Sequence, residues 1–176
     1  MDANHYLDTT RKTFLQYKKL AEGAMAQLTD EQICWAPSPE SNSIAAIVKH
    51  LWGNMLSRWT NFLTTDGEKD SRDRDAEFEP ADLKTKAAVM AKWEEGWKCM
   101  MNTLNALTPD DLDKIVKIRS ENHTVVQALQ RQLAHYSNHI GQIIYLAKVQ
   151  KDGDWKTLSI PKGQSKQFNQ AMNNKK

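Results

Sequence analysis

The 176-residue chain has little of what punctuates or staples a fold. Its two cysteines, Cys34 and Cys99, are too few for a disulfide framework and suit a reducing compartment. Seven glycines and five prolines fall between long segments, which argues against a strand-rich sandwich and its many turns. No apolar run approaches the ~20 residues that span a bilayer. The cleanest, Ile44-Ala45-Ala46-Ile47-Val48, is far shorter. Charge of one sign is also missing. The 24 basic residues nearly balance the 22 acidic ones, so no strong field draws the chain to nucleic acid or to a membrane surface. The opening Met1-Asp2-Ala3-Asn4-His5 lacks the basic start and apolar core of a signal peptide, and the expectation is a cytoplasmic protein.

What remains is ordinary for a soluble domain: 40% apolar and 26% charged residues. A chain of this length buries roughly 70% of the surface its unfolded form would expose, so it needs neither metal nor disulfide merely to fold.

Four segments carry helical periodicity. In the first, about Asn4 to Leu28, the residues Leu7, Thr10, Phe14, Tyr17, Ala21, Ala24 and Leu28 share a face. Thr29-Asp30 opens a loop in which Cys34 and Trp35 are expected to plug the core, and Pro37 and Pro39 bar a helix. The second long helix starts near Ser41-Asn42-Ser43, a supply of N-caps. Its stripe is Ile44, Val48, Leu51, Met55, Trp59 and Phe62, and it stops before Thr65-Asp66-Gly67. The stretch from Glu68 to Pro80 is dense in charges that nearly cancel, which reads as a solvated connection.

The third long helix spans about Ala81 to Leu107 on Leu83, Ala87, Met90, Trp97, Met101 and Leu104, with Trp93 beside the stripe. Ile115-Val116-Lys117-Ile118 is β-prone and suggests a small hairpin with Asn122-His123 in or near its turn. The fourth long helix runs from about Thr124 to Gln150 on Val125, Leu129, Leu133, Tyr136, Ile140, Ile143 and Ala147. The expected fold is therefore all-α, a four-helix bundle over residues 1–155. The longest connection joins its second and third long helices and allows them to run in the same direction. A tail, 156–176, is expected to pack partly on the bundle, with Trp155, Leu158, Ile160 and Phe168 as its apolar contacts.

Five histidines are present. His5 and His123 read as solvated. His135 and His139 stand four apart, on one helical face one turn apart, where two imidazoles can grip one cation at about 2.0–2.1 Å for zinc. His50 lies off the centre of its own stripe, on a flank with Asn54, Ser57 and Asn61, and the pair is displaced to the same side. Spacing alone leaves two readings open: a shared metal, or three separately hydrogen-bonded or exposed histidines.

A histidine within Ile47-Val48-Lys49-His50-Leu51, followed by His135-Tyr136-Ser137-Asn138-His139-Ile140-Gly141-Gln142, resembles the DinB/YfiT-like superfamily of metalloenzymes. The stretch from Ser57 to Lys69 and the tail segment Ser159-Ile160-Pro161-Lys162-Gly163-Gln164-Ser165 resemble a bacterial branch of unassigned function. The resemblance implies a DinB-like four-helix bundle with a long crossover, and a divalent metal, usually zinc or nickel, on His50, His135 and His139. It also implies frequent homodimers, and small-molecule chemistry of the kind run by low-molecular-weight thiol S-transferases or a thiol-dependent isomerase.

Three neutral imidazoles leave a cation its charge and an open position, the pattern of catalytic sites. Such an ion could lower the pKa of a water toward ~7 or favour a thiolate. Asn54 and Arg58, one and two turns beyond His50, are candidates to orient water or an anionic group. Asn54→Ala is then expected to leave folding nearly intact. A metal-dependent transferase or hydrolase acting on a small molecule, with a low-molecular-weight thiol as candidate co-substrate, is the leading expectation. A metal-binding module without turnover, and a helical scaffold with incidental histidines, are the alternatives. No nucleic-acid stripe, phosphate loop or Ser-His-Asp arrangement is visible.

Overall fold

In the computed structural model, which describes residues 2–174, the chain is mostly helical. Its elements are α1 (Ala3–Met25), α2 (Asp30–Cys34), α3 (Ile44–Trp59), α4 (Lys86–Ala106), β1 (Ile115–Ile118), β2 (Glu121–Thr124), α5 (Val125–Lys151) and α6 (Ser165–Asn173). The four long helices α1, α3, α4 and α5 are those anticipated from periodicity. Each begins where a side chain can accept from an otherwise unpartnered backbone N–H. Ser43 Oγ accepts from the Ala46 amide at 3.1 Å, and Thr85 Oγ1 from Ala88 at 3.2 Å. At α5, Thr124 and Gln127 cap each other's backbone, at 3.2 and 2.8 Å.

Two boundaries differ from expectation. The helix α3 stops at Trp59, because Asn61 takes a left-handed φ of 52° that ends the ladder. The helix α4 starts at Lys86 rather than near Ala81, because the Thr85 cap sits there. Its buried face is Val89, Trp93, Gly96, Trp97, Met100 and Leu104. Trp93 is thus in the core itself, and Ala87 faces solvent.

Paired contacts fix the helix directions. Between α3 and α4, Trp52 Nε1 donates to Glu95 and, further along both, Thr103 Oγ1 donates to the Trp59 carbonyl, each at 2.8 Å. These helices run parallel. Lys18 meets Glu94 while Arg11 reaches the Leu104 and Leu107 carbonyls, so α1 and α4 are antiparallel. His50 lies by His139 and Asn54 bonds Gln132, so α3 and α5 are antiparallel. Parallel α3 and α4 require the chain to travel back along α3, a span of about 24 Å at 1.5 Å per residue. That is why the connection from residue 60 to 85 is long. It is not merely solvated: Arg72 and Glu77 within it are buried to 4% and 5% side-chain exposure.

All four helices bury aromatic or large aliphatic side chains in one cluster, including Phe14, Trp59, Trp93, Trp97 and Tyr136. Side chains of this size contribute roughly 1.5–3 kcal/mol each by leaving water. Cys34 and Trp35 do not join it. Helix α2 is a single turn that directs only Ile33 inward, and both neighbours are exposed. Cys34 Sγ donates to the Leu83 carbonyl at 3.2 Å, at the rim.

The hairpin forms, but its turn is Arg119-Ser120, with φ of 54° and 64°, the paired left-handed residues of a type I′ turn. Asn122 and His123 belong to β2, opposite Lys117 and Val116. The Asp66 carboxylate accepts from the Arg119 and Ser120 amides at 2.8 and 2.7 Å, and Gly67 N donates to the Lys117 carbonyl at 2.8 Å. These bonds tie the hairpin tip to the start of the long connection. In the tail, Trp155 and Leu158 pack against the core, whereas Ile160 and Phe168 are exposed. No helix among the described residues is long and apolar enough to cross a membrane.

Candidate metal centre

His50 lies midway along α3, and His135 and His139 on successive turns of α5, facing it across the antiparallel pair. The three rings converge. Their centroids are 4.7 Å (His135–His139), 4.9 Å (His50–His139) and 5.3 Å (His50–His135) apart. One ring nitrogen from each falls within 4.8 Å of the other two. His50 is buried, at 3% exposure, and the α5 pair is half-buried. His5 and His123 lie elsewhere: His5 is exposed on α1, and His123 is half-buried on β2.

Each ring is held by what it bonds. His50 Nδ1 donates to Glu77 Oε2 at 2.9 Å, which leaves Nε2 with its lone pair toward the other histidines. His139 Nδ1 pairs with Gln142 Oε1 at 2.9 Å, to the same effect. His135 Nε2 is buried and has no partner among the described residues. A buried unsatisfied nitrogen is costly in a site with no use for it. Here it lies among two other imidazoles, as a donor to a shared cation would.

Burial disfavours protonation of the two α5 rings. Burial, then repulsion from His139 and His50, pushes His135 down to about 3. Burial also lowers His139, against the opposing pull of Gln142. Glu77 takes the opposite form. Burial works against its charge, but the bonds from His50 and Arg72 together outweigh that and hold its pKa below the usual carboxylate range. Arg72 grips this carboxylate with Nε at 2.7 Å and Nη2 at 2.9 Å. Phe78, next in the chain, stacks on the His50 ring at 4.8 Å and 21°.

A short 3₁₀ turn, Ala76–Phe78, thus delivers the partners of His50 on consecutive residues. Neither Glu77 nor Phe78 is singled out by sequence spacing. The one available hint is chemical: a ligating histidine needs an acceptor for its second nitrogen, and the charged connection following α3 offers several.

Asn54 and Arg58 line the cavity over the three rings, which measures about 350 Å³, but both also serve the fold. Asn54 Oδ1 accepts from Gln132 Nε2 at 2.7 Å and from the Tyr136 hydroxyl at 3.0 Å, all buried. Trp59 Nε1 completes this network by donating to the Tyr136 hydroxyl at 2.9 Å. Arg58 donates to the Gly67 carbonyl and to Glu68 Oε2, which anchors the long connection. The expectation that Asn54→Ala leaves folding intact is therefore corrected: the change strands two buried donors. Glu94 and Glu95 lie outside the cavity, bonded to Lys18 and Trp52.

Fold and site together define a mostly helical protein with three converging histidines at the floor of an open cavity. The chain belongs to DUF1572, a family of proteins of unknown function, whose family model matches residues 2–164. That agrees with the unassigned function of the branch its sequence resembles. No curated protein matches the chain.

Proposed function

We propose that this protein is a metal-dependent enzyme of the DinB-like superfamily, built as a four-helix bundle. In this reading His50, His135 and His139 hold a divalent cation, zinc or nickel, and the site acts on a small molecule by thiol S-transferase or hydrolase chemistry. The observation that carries it is the convergence of three imidazoles, one with a buried and unpartnered Nε2, beneath a cavity open to solvent.

A cation there would supply Lewis acidity at neutral pH, favouring hydroxide over water or thiolate over thiol. The protein's own part is orientation. Glu77 fixes the tautomer and aim of His50, and Arg72 fixes Glu77. Gln142 does the same for His139. Asn54 and Arg58 act as positioning residues, the first through Gln132 and Tyr136, the second by holding the connection that bears Glu77.

The test is elemental analysis of purified protein beside the His139→Ala variant. One equivalent of zinc or nickel in the wild type, lost in the variant, supports the reading. A wild type without stoichiometric metal after reconstitution overturns it. Thiol-consumption assays against a panel of electrophiles then separate an enzyme from a metal-binding module without turnover.

A further inference from the structure

The chain has six arginines, and five of them, Arg58, Arg72, Arg74, Arg119 and Arg131, line the cavity over the three histidines. Among the described residues no lysine, aspartate or glutamate lines it. These arginines come from four separate parts of the fold: α3, the long connection, the hairpin turn and α5. The whole chain carries a formal charge of only +2, so this is a local choice and not a basic surface. The choice of arginine over lysine matters. A guanidinium presents a rigid planar fork that matches carboxylate and phosphate oxygens two at a time, which an ammonium does not.

Part of the set is spent within the protein. Arg72 is committed to Glu77, and Arg58 and Arg119 share Glu68. Arg58 nevertheless keeps a buried Nε without a partner. Arg74 and Arg131 have no carboxylate partner among the described residues, and both are exposed at the cavity. Arg74 lies 5.4 Å over the Phe78 ring, which holds it beside the ring that stacks on His50. Two carboxylates bonded to three guanidinium groups, with two more guanidinium groups beside them, leave a positive excess inside a concave wall, where field lines concentrate.

We propose that the cavity takes a small organic anion. Arg74 and Arg131, with Arg119 at the rim, grip its carboxylate or phosphate group, and its reacting end lies over the three histidines. The placement of that end rests on the metal reading above; the grip on the anion does not. A volume of about 350 Å³ fits a metabolite-sized molecule.

Calorimetric titration with succinate, inorganic phosphate and the neutral succinamide tests this on the metal-loaded protein at low salt. The variants are Arg74→Gln, Arg131→Gln, their combination, Arg131→Lys, and Lys19→Gln on the exposed face of α1 as control. Saturable binding of succinate, phosphate or both, with none of the diamide, is expected, and which anion binds identifies the group recognised. The double variant should lose about tenfold to a hundredfold in affinity, as for a hydrogen bond to a charged group. Its metal content should not change. Arg131→Lys should recover only part of the loss, and Lys19→Gln none.

Equal binding of the diamide overturns the proposal, as does no saturable binding of either anion, or unchanged affinity in the double variant. His139→Ala separates the two readings. Anion binding that survives there and still depends on Arg74 and Arg131 supports the arginine grip even if no metal is ever found. Binding that vanishes with His139 but ignores both arginines assigns the anion to the cation and overturns the grip.

Discussion

His50 and Glu77 meet at 2.9 Å with both side chains almost wholly out of solvent, 4% and 5% exposed. Neither would be stable there alone. The carboxylate needs donors to stay charged, and the imidazole needs an acceptor to fix its tautomer. Arg72 supplies the remaining donors to Glu77. The result is a buried chain of guanidinium, carboxylate and imidazole that ends at the candidate metal centre. Partners of this kind set ligand orientation and basicity, and their loss typically costs 10–100-fold in metal affinity.

Glu77→Gln keeps the shape of this link and removes its charge. Metal affinity should fall by about 10–100-fold in chelator competition, while the three histidines remain. Unchanged affinity would show that Glu77 plays no part in presenting His50.

Gly53 offers a test that leaves every polar group in place. A Cβ added there would lie 2.7 Å from Glu77 Cδ and 3.1 Å from its Cγ, closer than carbon atoms pack. Glu77 cannot swing freely aside, because Arg72 and His50 hold it. In an exposed helix Gly→Ala would stabilise by about 1 kcal/mol. Here Gly53→Ala should instead lower both the melting temperature and the metal affinity. A variant more stable than wild type, with full affinity, would mean the contact is slack.

The pH dependence follows from the direction of the histidine shifts. His135 is pushed from 6.5 to about 3, burial first, and His139 moves the same way. Both bind a proton less readily in the fold than in the unfolded chain, which takes protons up as pH falls below about 6.5. The unfolded state then binds more protons, so stability falls with pH from about 6.5 toward 3 and the His135 contribution flattens below that. Between pH 6.5 and 5 the carboxylates contribute little to the slope. Urea midpoints of metal-free protein across that interval should decline, and His135→Gln should flatten the decline. A midpoint that rises on acidification contradicts this.

Asn54→Ala should destabilise by about 1–3 kcal/mol, since Gln132 Nε2 and the Tyr136 hydroxyl both donate to Asn54 Oδ1 and lie buried. A double-mutant cycle with Tyr136→Phe checks it. The two losses should be strongly non-additive, because they share one network. Additive losses would place the residues in separate interactions.

Much of this arrangement was legible because helices carry their own period. Leu51, Met55 and Trp59 mark one face of α3, and Leu129, Tyr136 and Ile140 one face of α5. Once both stripes are placed, His50, His135 and His139 fall on matching flanks. Glu77 and Arg72 were hidden, because a run of mixed charge has no period and reads the same whether it is solvated or folded onto a helix. Their burial depends on the chain turning back along α3, a tertiary event. Cys34 and Trp35 misled for the converse reason: apolar character implies burial only when an element points it inward, and the single turn of α2 directs Ile33 there instead.

The turn at Ala76–Phe78 has a consequence for how such proteins diverge. Arg74, Glu77 and Phe78 sit within five consecutive positions of one connection, and they touch, respectively, the entrance, the back and the face of the same imidazole environment. On the metal and anion readings proposed above, exchanging that short stretch between family members would transplant ion preference and ligand choice as one cassette, while the helical frame that carries the histidines stays as it was.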